Sequence, residues 1–289
     1  MTDYECIACK AKMKIVYPGW ILYCNKCKLR RVMQDNSTKP VHFDEQLYGH
    51  ALKNQRKILY NQLIEIMLTV GKINGKKILD VGCALGWFLD ILKKNKGISF
   101  GIDIKESFVR NAFKSGHKVL VSDFPTKIFT NNTFDWVIFN DVFEHIEDLG
   151  KAIETTSDLL NEDGMVLILA PNSKSLIYRV SSLLARFGYL NPLERLWLKN
   201  YPFPHQTYFT RYNLSILMKQ FGFNEIYFTG RSYTSTINFK HLIKIMRIDK
   251  SVGLFQALVL TLGFISLRPI SKIFGNDSFI TVYKKISTK

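Results

Sequence analysis

Three observations predict an α/β fold built on a mostly parallel sheet with an antiparallel last strand. Short apolar runs alternate with helix-like stretches, some of these runs end on an acid or an amide, and one of them enters a glycine-spaced loop. Residues 78–81, 98–102, 119–121, 136–139 and 166–169 read as buried parallel strands, because apolar side chains fill successive positions where both faces of a sheet are covered. Residues 223–229 and 279–284 read as the antiparallel end. Ahead of the first parallel strand, residues 42–68 read mainly as helix, with Leu59, Leu63, Ile66, Met67 and Val70 at helical spacing. Thr210 opens a further helix over 212–221, stopped by Gly222.

The run Lys77-Ile78-Leu79-Asp80-Val81-Gly82-Cys83-Ala84-Leu85-Gly86-Trp87 carries the most chemical information. A strand ends on an acid and turns through glycines into a helix, so the backbone can approach a ligand closely. Asp103 ends the next strand, where an acid can grip ribose hydroxyls. The spacing Asp80, Gly82, Ala84, Gly86 departs from the G-x-G-x-x-G that seats a pyrophosphate, and a carboxylate at Asp80 would repel one. A cationic nucleoside without phosphate suits the loop better.

This loop resembles the first motif, D/E-x-G-x-G-x-G, of the class I S-adenosylmethionine-dependent methyltransferases, with Ala84 in place of the middle glycine. The resemblance continues through Gly101-Ile102-Asp103, Val121-Ser122-Asp123-Phe124 and the run from Phe134 through Asn140 and Asp141 to Glu144-His145-Ile146. It implies a Rossmann-like sheet and a role for each position. Gly82 and Gly86 would border the methionine portion of the cofactor together with Asp80, Cys83 and Ala84. Asp103 would hold the ribose, with Ile104 beside it. Asp123 would meet the adenine amino group, Phe124 would flank its ring, and Asn140 would stand at the mouth where the methyl group is transferred.

Four of the five cysteines form two C-x2-C pairs, Cys6/Cys9 and Cys24/Cys27, separated by fourteen residues. That spacing matches a tetrathiolate zinc ribbon, a structural site because four thiolates leave no open coordination position. Two disulfides are the alternative, which a cytoplasmic chain disfavours. The expected organisation is a zinc ribbon over 1–36, a linker and helix over 37–74, and a methyltransferase domain over 75–289 with insertions at 173–204 and 230–278. The first insertion is expected to be irregular and partly helical.

Net charge is +16, unevenly spread: residues 77–171 sum to −4 and residues 172–289 to +13. The excess cation surrounds the expected acceptor side, which suits an anionic acceptor, an anionic membrane surface or nucleic acid. Residues 252–267 are apolar and flanked by Lys240, Lys244, Arg247, Lys250, Arg268 and Lys272. They are too short to span a bilayer and suit an interfacial helix or a cap packed on the domain or a second subunit. No N-terminal signal-like segment stands out, so a cytoplasmic setting is expected, peripheral on the inner membrane face if the apolar insertion attaches there.

A hydroxyl acceptor needs a group to take its proton. His205, on an aromatic-rich loop after the first insertion, is the leading candidate, followed by His145 and Asp141 beside Asn140. His42, His50, His117 and His241 read as surface groups. Three functions compete. The first is methylation, chiefly at oxygen, of a small-molecule, sugar or lipid-linked glycan acceptor, supported by a looser resemblance to zinc-ribbon methyltransferases of surface-polysaccharide biosynthesis. The second is RNA methylation, with Lys10, Lys12, Lys14, Lys26, Lys28, Arg30 and Arg31 gripping RNA. The third is a non-catalytic cofactor-binding module.

Overall fold

The computed structural model describes residues 4–33, 53–125, 133–232 and 275–286, together with scattered positions between 239 and 266. Its main sheet has seven strands: β4 (Lys77–Val81), β5 (Ile98–Asp103), β6 (Lys118–Val121), β7 (Phe134–Asn140), β8 (Leu160–Pro171), β10 (Phe223–Arg231) and β11 (Ser278–Lys285). Their spatial order is β10-β11-β8-β7-β4-β5-β6. β4 to β8 run parallel, whereas β11 pairs antiparallel with β8 and β10 antiparallel with β11. From β4 the chain builds outward to β5 and β6, then returns to lay β7 on the other side of β4. That reversal opens a crevice beyond the carboxyl ends of β4 and β7, where open α/β sheets bind ligands.

The expected strands are present, and β8 is longer than its apolar core. It begins at Leu160, opposite Phe134, and carries the exposed Glu162 and Asp163 before the buried Val166 to Ala170. Asp163 takes φ +62°, so the strand absorbs a polar irregularity that hydropathy reads as loop.

Helices cover both faces. α1 (Lys53–Val70) buries Leu59, Leu63, Ile66 and Met67 at the expected spacing; the expected helical residues 42–52 lie outside the described residues. α2 (Trp87–Lys94), α3 (Glu106–Lys114) and α4 (Leu149–Leu159) follow β4, β5 and β7. The first insertion is more regular than expected. It forms α5 (Leu176–Arg186) and α6 (Asn191–Leu196), whose Tyr178, Ala185, Leu193 and Trp197 share a buried cluster with Ile21 and Tyr208.

The N-terminal module is a small antiparallel sheet of β1 (Met13–Val16), β2 (Ile21–Cys24) and β3 (Arg30–Val32). A fourth strand, β9 (Thr207–Tyr208), joins it from the far side of the first insertion. α7 (Arg211–Gln220) then packs beneath. Thr210 caps it: its hydroxyl accepts from Asn213 N, and Asn213 Oδ1 accepts from Thr210 N at 2.9 Å. Asn213 and Gln220 also donate to the carbonyls of Cys27 and Ala8. The module is therefore welded to the main domain: Ala8, Leu22 and Leu29 share one core cluster with Phe143, Phe209, Leu214 and Met218. Full burial of side chains of this size stabilises by about 1.5–3 kcal/mol each.

Candidate active site

The glycine loop folds as its sequence requires. Gly82 and Gly86 take φ +75° and +80°, and Ala84 takes +45° in the middle position. Gly82 N and Cys83 N donate to Ile102 O, tying the loop to β5. A Cβ on Gly82 would lie 2.4 Å from Val142 Cγ2, so the loop passes tightly under the residues after β7. Cys83 is 5% exposed and fills the space above Gly101, whose added Cβ would sit 2.6 Å from its sulfur. Burial raises the Cys83 thiol far above its ordinary value, which keeps it protonated and inert.

The two strand-end acids differ. Asp103 accepts from Ala84 N at 2.9 Å through Oδ2 and from Lys105 N at 2.8 Å through Oδ1, so it also braces the loop. Asp80 is 3% exposed and its Oδ1 has no hydrogen-bond partner among the described residues. Burial, reinforced by the nearby Asp103 charge and opposed by Arg56, pushes Asp80 up to about 8. Asn140, at the end of β7, is 8% exposed with Oδ1 likewise unpartnered. Two buried acceptors beside a left-handed glycine turn call for a donor-rich, cationic ligand. The ammonium of S-adenosylmethionine fits that requirement.

Beyond β5 and β6 the expected adenosine-side residues are arranged loosely. Ile104 is 52% exposed, Asp123 is exposed, and Phe124 is buried edge-on against Phe139 at 5.4 Å. One expectation fails. His117 is a buried residue, 6% exposed, with Nε2 3.1 Å from Asp90 Oδ1. It packs against Gly86 at the start of α2, because the loop before β6 folds inward over that helix. His42, His50 and His241 lie outside the described residues.

The acceptor-side candidates come together in part. A 3-10 turn, Phe143–His145, follows Asn140 and buries Glu144 at 2% exposure. His145 Nδ1 donates to Pro204 O at 3.1 Å, and its ring centroid lies 4.7 Å from that of His205. Burial holds both imidazoles below their ordinary range, His205 further because His145 adds to the effect. Burial also raises Glu144 well above the carboxylate range, helped by Asp141. Asp141 takes φ +56°; burial raises it too, and Arg56 and Arg231 oppose that shift. Sequence reasoning passed over Glu144 as a site residue although it lies in a quoted motif, and missed Arg56 and Arg231. Arg56 lies on a helix outside the motifs, and Arg231 ends a distant strand, so no local pattern marks either.

The four cysteines of the N-terminal module converge without disulfides. Cys6 and Cys27 sulfurs are 3.5 Å apart and those of Cys9 and Cys24 are 3.4 Å apart. A zinc tetrathiolate spaces its sulfurs by about 3.8 Å, so the cluster is compatible with zinc. The hydrogen bond between Cys6 and Cys27 holds the Cys6 thiol low and pushes the Cys27 thiol up.

Residues 52–227 match the methyltransferase domain family known as Methyltransf_23. The mitochondrial ubiquinone biosynthesis O-methyltransferase of Bos taurus is 31% identical over 116 residues, 37% of this chain and 31% of that protein. The chain spans about half the length, or less, of the curated relatives it matches. Among solved structures, an S-adenosylmethionine-dependent methyltransferase of Archaeoglobus fulgidus superposes with TM-score 0.54 at 19% identity, covering 83% of this chain and 99% of that one. A chain from the complex of the Haloferax volcanii Trm112 methyltransferase activator with a methyltransferase gives TM-score 0.58 at 16% identity, covering 85% and 96%. With more than half of its length inside the family's boundaries and the glycine loop folded as above, this chain belongs to the methyltransferase domain family.

Proposed function

We propose that the chain methylates a hydroxyl group on a small anionic acceptor, a sugar or lipid-linked glycan, rather than RNA. The observation that carries this reading is the group of proton-accepting side chains beyond Asn140, where His145 and His205 stand with ring centroids 4.7 Å apart. S-adenosylmethionine, when bound, supplies the electrophilic methyl group. The chain's own residues bind, align and exclude water. Asp80, Gly82, Cys83, Ala84 and Gly86 face the amino-acid end, Asp103 and Ile104 the ribose, Asp123 and Phe124 the adenine, and Asn140 the transfer point. The acceptor hydroxyl gives up its proton on the side of His205 and His145, with Asp141 shaping the field behind Asn140. The cysteine ribbon holds zinc as a structural ion.

The acceptor class is supported by the charge partition: an acidic cofactor half and a +13 remainder over residues 172–289. A lipid-linked form is supported by residues around 254–262, where Phe255, Val259 and Leu262 are exposed and fall, at helical spacing, away from the buried Ala257 and Thr261. Among the described residues no helix is long and apolar enough to cross a membrane.

The test is transfer of a radiolabelled methyl group from the cofactor to fractionated extracts. Label in sugar or lipid-linked glycan fractions, stable to mild base as an ether is, is the expected result. Label in RNA, or none in any fraction despite cofactor binding, overturns the acceptor assignment. Co-sedimentation with phosphatidylglycerol vesicles at low salt tests the lipid component separately, and an unbound protein removes it.

A further inference from the structure

Outside the cofactor loop, three donor side chains converge: one ligand atom each from Glu144, His145 and His205 lies within 4.8 Å of the others. Ligands held about 2.1 Å from a common ion stand about 3–4 Å apart, so closure by about 1–2 Å would complete the set. Glu144 suits this role better than it suits simple packing. Its side chain is 3% exposed, its Oε2 has no hydrogen-bond partner, and among the described residues its only ion-pair neighbour is His205 Nε2 at 3.9 Å. A buried carboxylate in that situation lacks the positive partner that such groups require. His145 points the same way. A carbonyl only accepts, so Nδ1 must carry the proton it gives to Pro204 O, and Nε2 keeps its lone pair. Metal-ligating imidazoles are oriented by this kind of backbone bond. The third donor, His205, turns Nε2 toward Glu144 Oε1 at 3.9 Å.

We propose that Glu144, His145 and His205 bind one divalent transition-metal cation beside the transfer point, with the four-cysteine module holding the third ligand in place. Two imidazoles and a carboxylate select zinc, iron(II), cobalt or nickel over magnesium. The module's part follows from the backbone. His205 N donates to Trp197 O, Gln206 N donates to Glu144 O at 2.8 Å, and Gln206 O accepts from Val32 N at 2.9 Å. The segment carrying His205 is thus stitched between the 3-10 turn and the edge strand β3, which pairs with β9 at Arg30–Tyr208 and Arg31–Thr207. The role of the ion rests on the hydroxyl reading above: three protein ligands leave positions open for an acceptor oxygen, and the bound ion, in place of the two imidazoles as bases, would make that hydroxyl acidic enough to lose its proton to bulk water. The existence of the site does not depend on that reading.

Cobalt(II) titration of the metal-stripped, tag-free chain tests it. Two equivalents are expected. One shows the thiolate-to-cobalt charge-transfer band of the cysteine cluster, and the second shows only the weaker visible bands of nitrogen and oxygen ligation. Glu144→Gln and His205→Ala are each expected to weaken the second equivalent at least tenfold while leaving the thiolate band, which also reports that the module is folded. Binding of a single equivalent by the unsubstituted chain overturns the proposal, as does a second equivalent that both variants retain. Calorimetric binding of S-adenosylmethionine, measured alongside, keeps this outcome separate from the fate of the methyltransferase reading.

Discussion

The parallel sheet and the four-cysteine module are held together in opposite ways. In the sheet, Leu79, Val137, Ile138, Phe139 and Leu167 are wholly buried between helices, and the domain supplies its own core. In the module the fully buried side chains are few: Cys6, Ala8, Cys24, Cys27 and Leu29. Further apolar contact comes from neighbouring elements, among them Leu214, Leu217 and Met218 of α7 and Phe143 and Phe209. A module this small would need a bound metal as well as a neighbour's surface. The sheet end is thus built by apolar burial, and the end carrying His205 is braced by the cysteine module through β9. The two ends can be perturbed separately.

The largest expected effect comes from breaking the module. Cys24→Ser with Cys27→Ser should lower unfolding free energy by about 4 kcal/mol or more, read by thermal or denaturant melting. Cofactor affinity, read by calorimetry, should change no more than about twofold. A parallel loss of cofactor binding would mean that the two ends are not separable. The converse is Trp136→Ala, which empties a site at 0% exposure and removes the bond to Lys72 O; it should cost about 3–5 kcal/mol and weaken cofactor binding while the cobalt–thiolate band survives.

Gly82→Ala strains a φ of +75° and drives a methyl group into Val142. About 1–3 kcal/mol of cofactor affinity should be lost, with little change in the module. Asp80 provides a pH test. Its folded pKa, about 8, lies above the unfolded carboxylate value, so the cofactor-free fold is favoured by this group below about pH 4 and progressively loses that contribution as pH rises through about 8. A cationic ligand needs the ionised form, so cofactor affinity should fall up to about tenfold per pH unit below 8. Asp80→Asn should flatten both slopes, and an unchanged affinity slope would show that Asp80 does not face the ligand. The smallest effect belongs to the exposed Glu106–Arg110 pair on α3: Arg110→Ala should stay within about 0.5 kcal/mol.

The parallel strands were legible because most of their positions are apolar, and the loop of Gly82 and Gly86 because left-handed turns demand a small set of residues. The C-x2-C pairs were legible for the same reason: ligand chemistry permits few substitutes. The polar start of β8 was not, since Glu162 and Asp163 carry loop composition into a paired strand. His117 was misjudged because its burial depends on a loop folding back over α2, which no neighbouring residue announces.

What the sequence by itself determined is local: strand periods, glycine turns and thiol spacing, each encoded within a dozen residues and enforced by backbone sterics or bond geometry. Tertiary structure alone decided that β9 joins the cysteine module, that Arg56 and Arg231 bear on the strand-end acids, and that His205 meets Glu144 and His145. Those juxtapositions arise between segments some 24 to 178 residues apart, where no short-range rule acts and only the packing of the whole chain sets the distance.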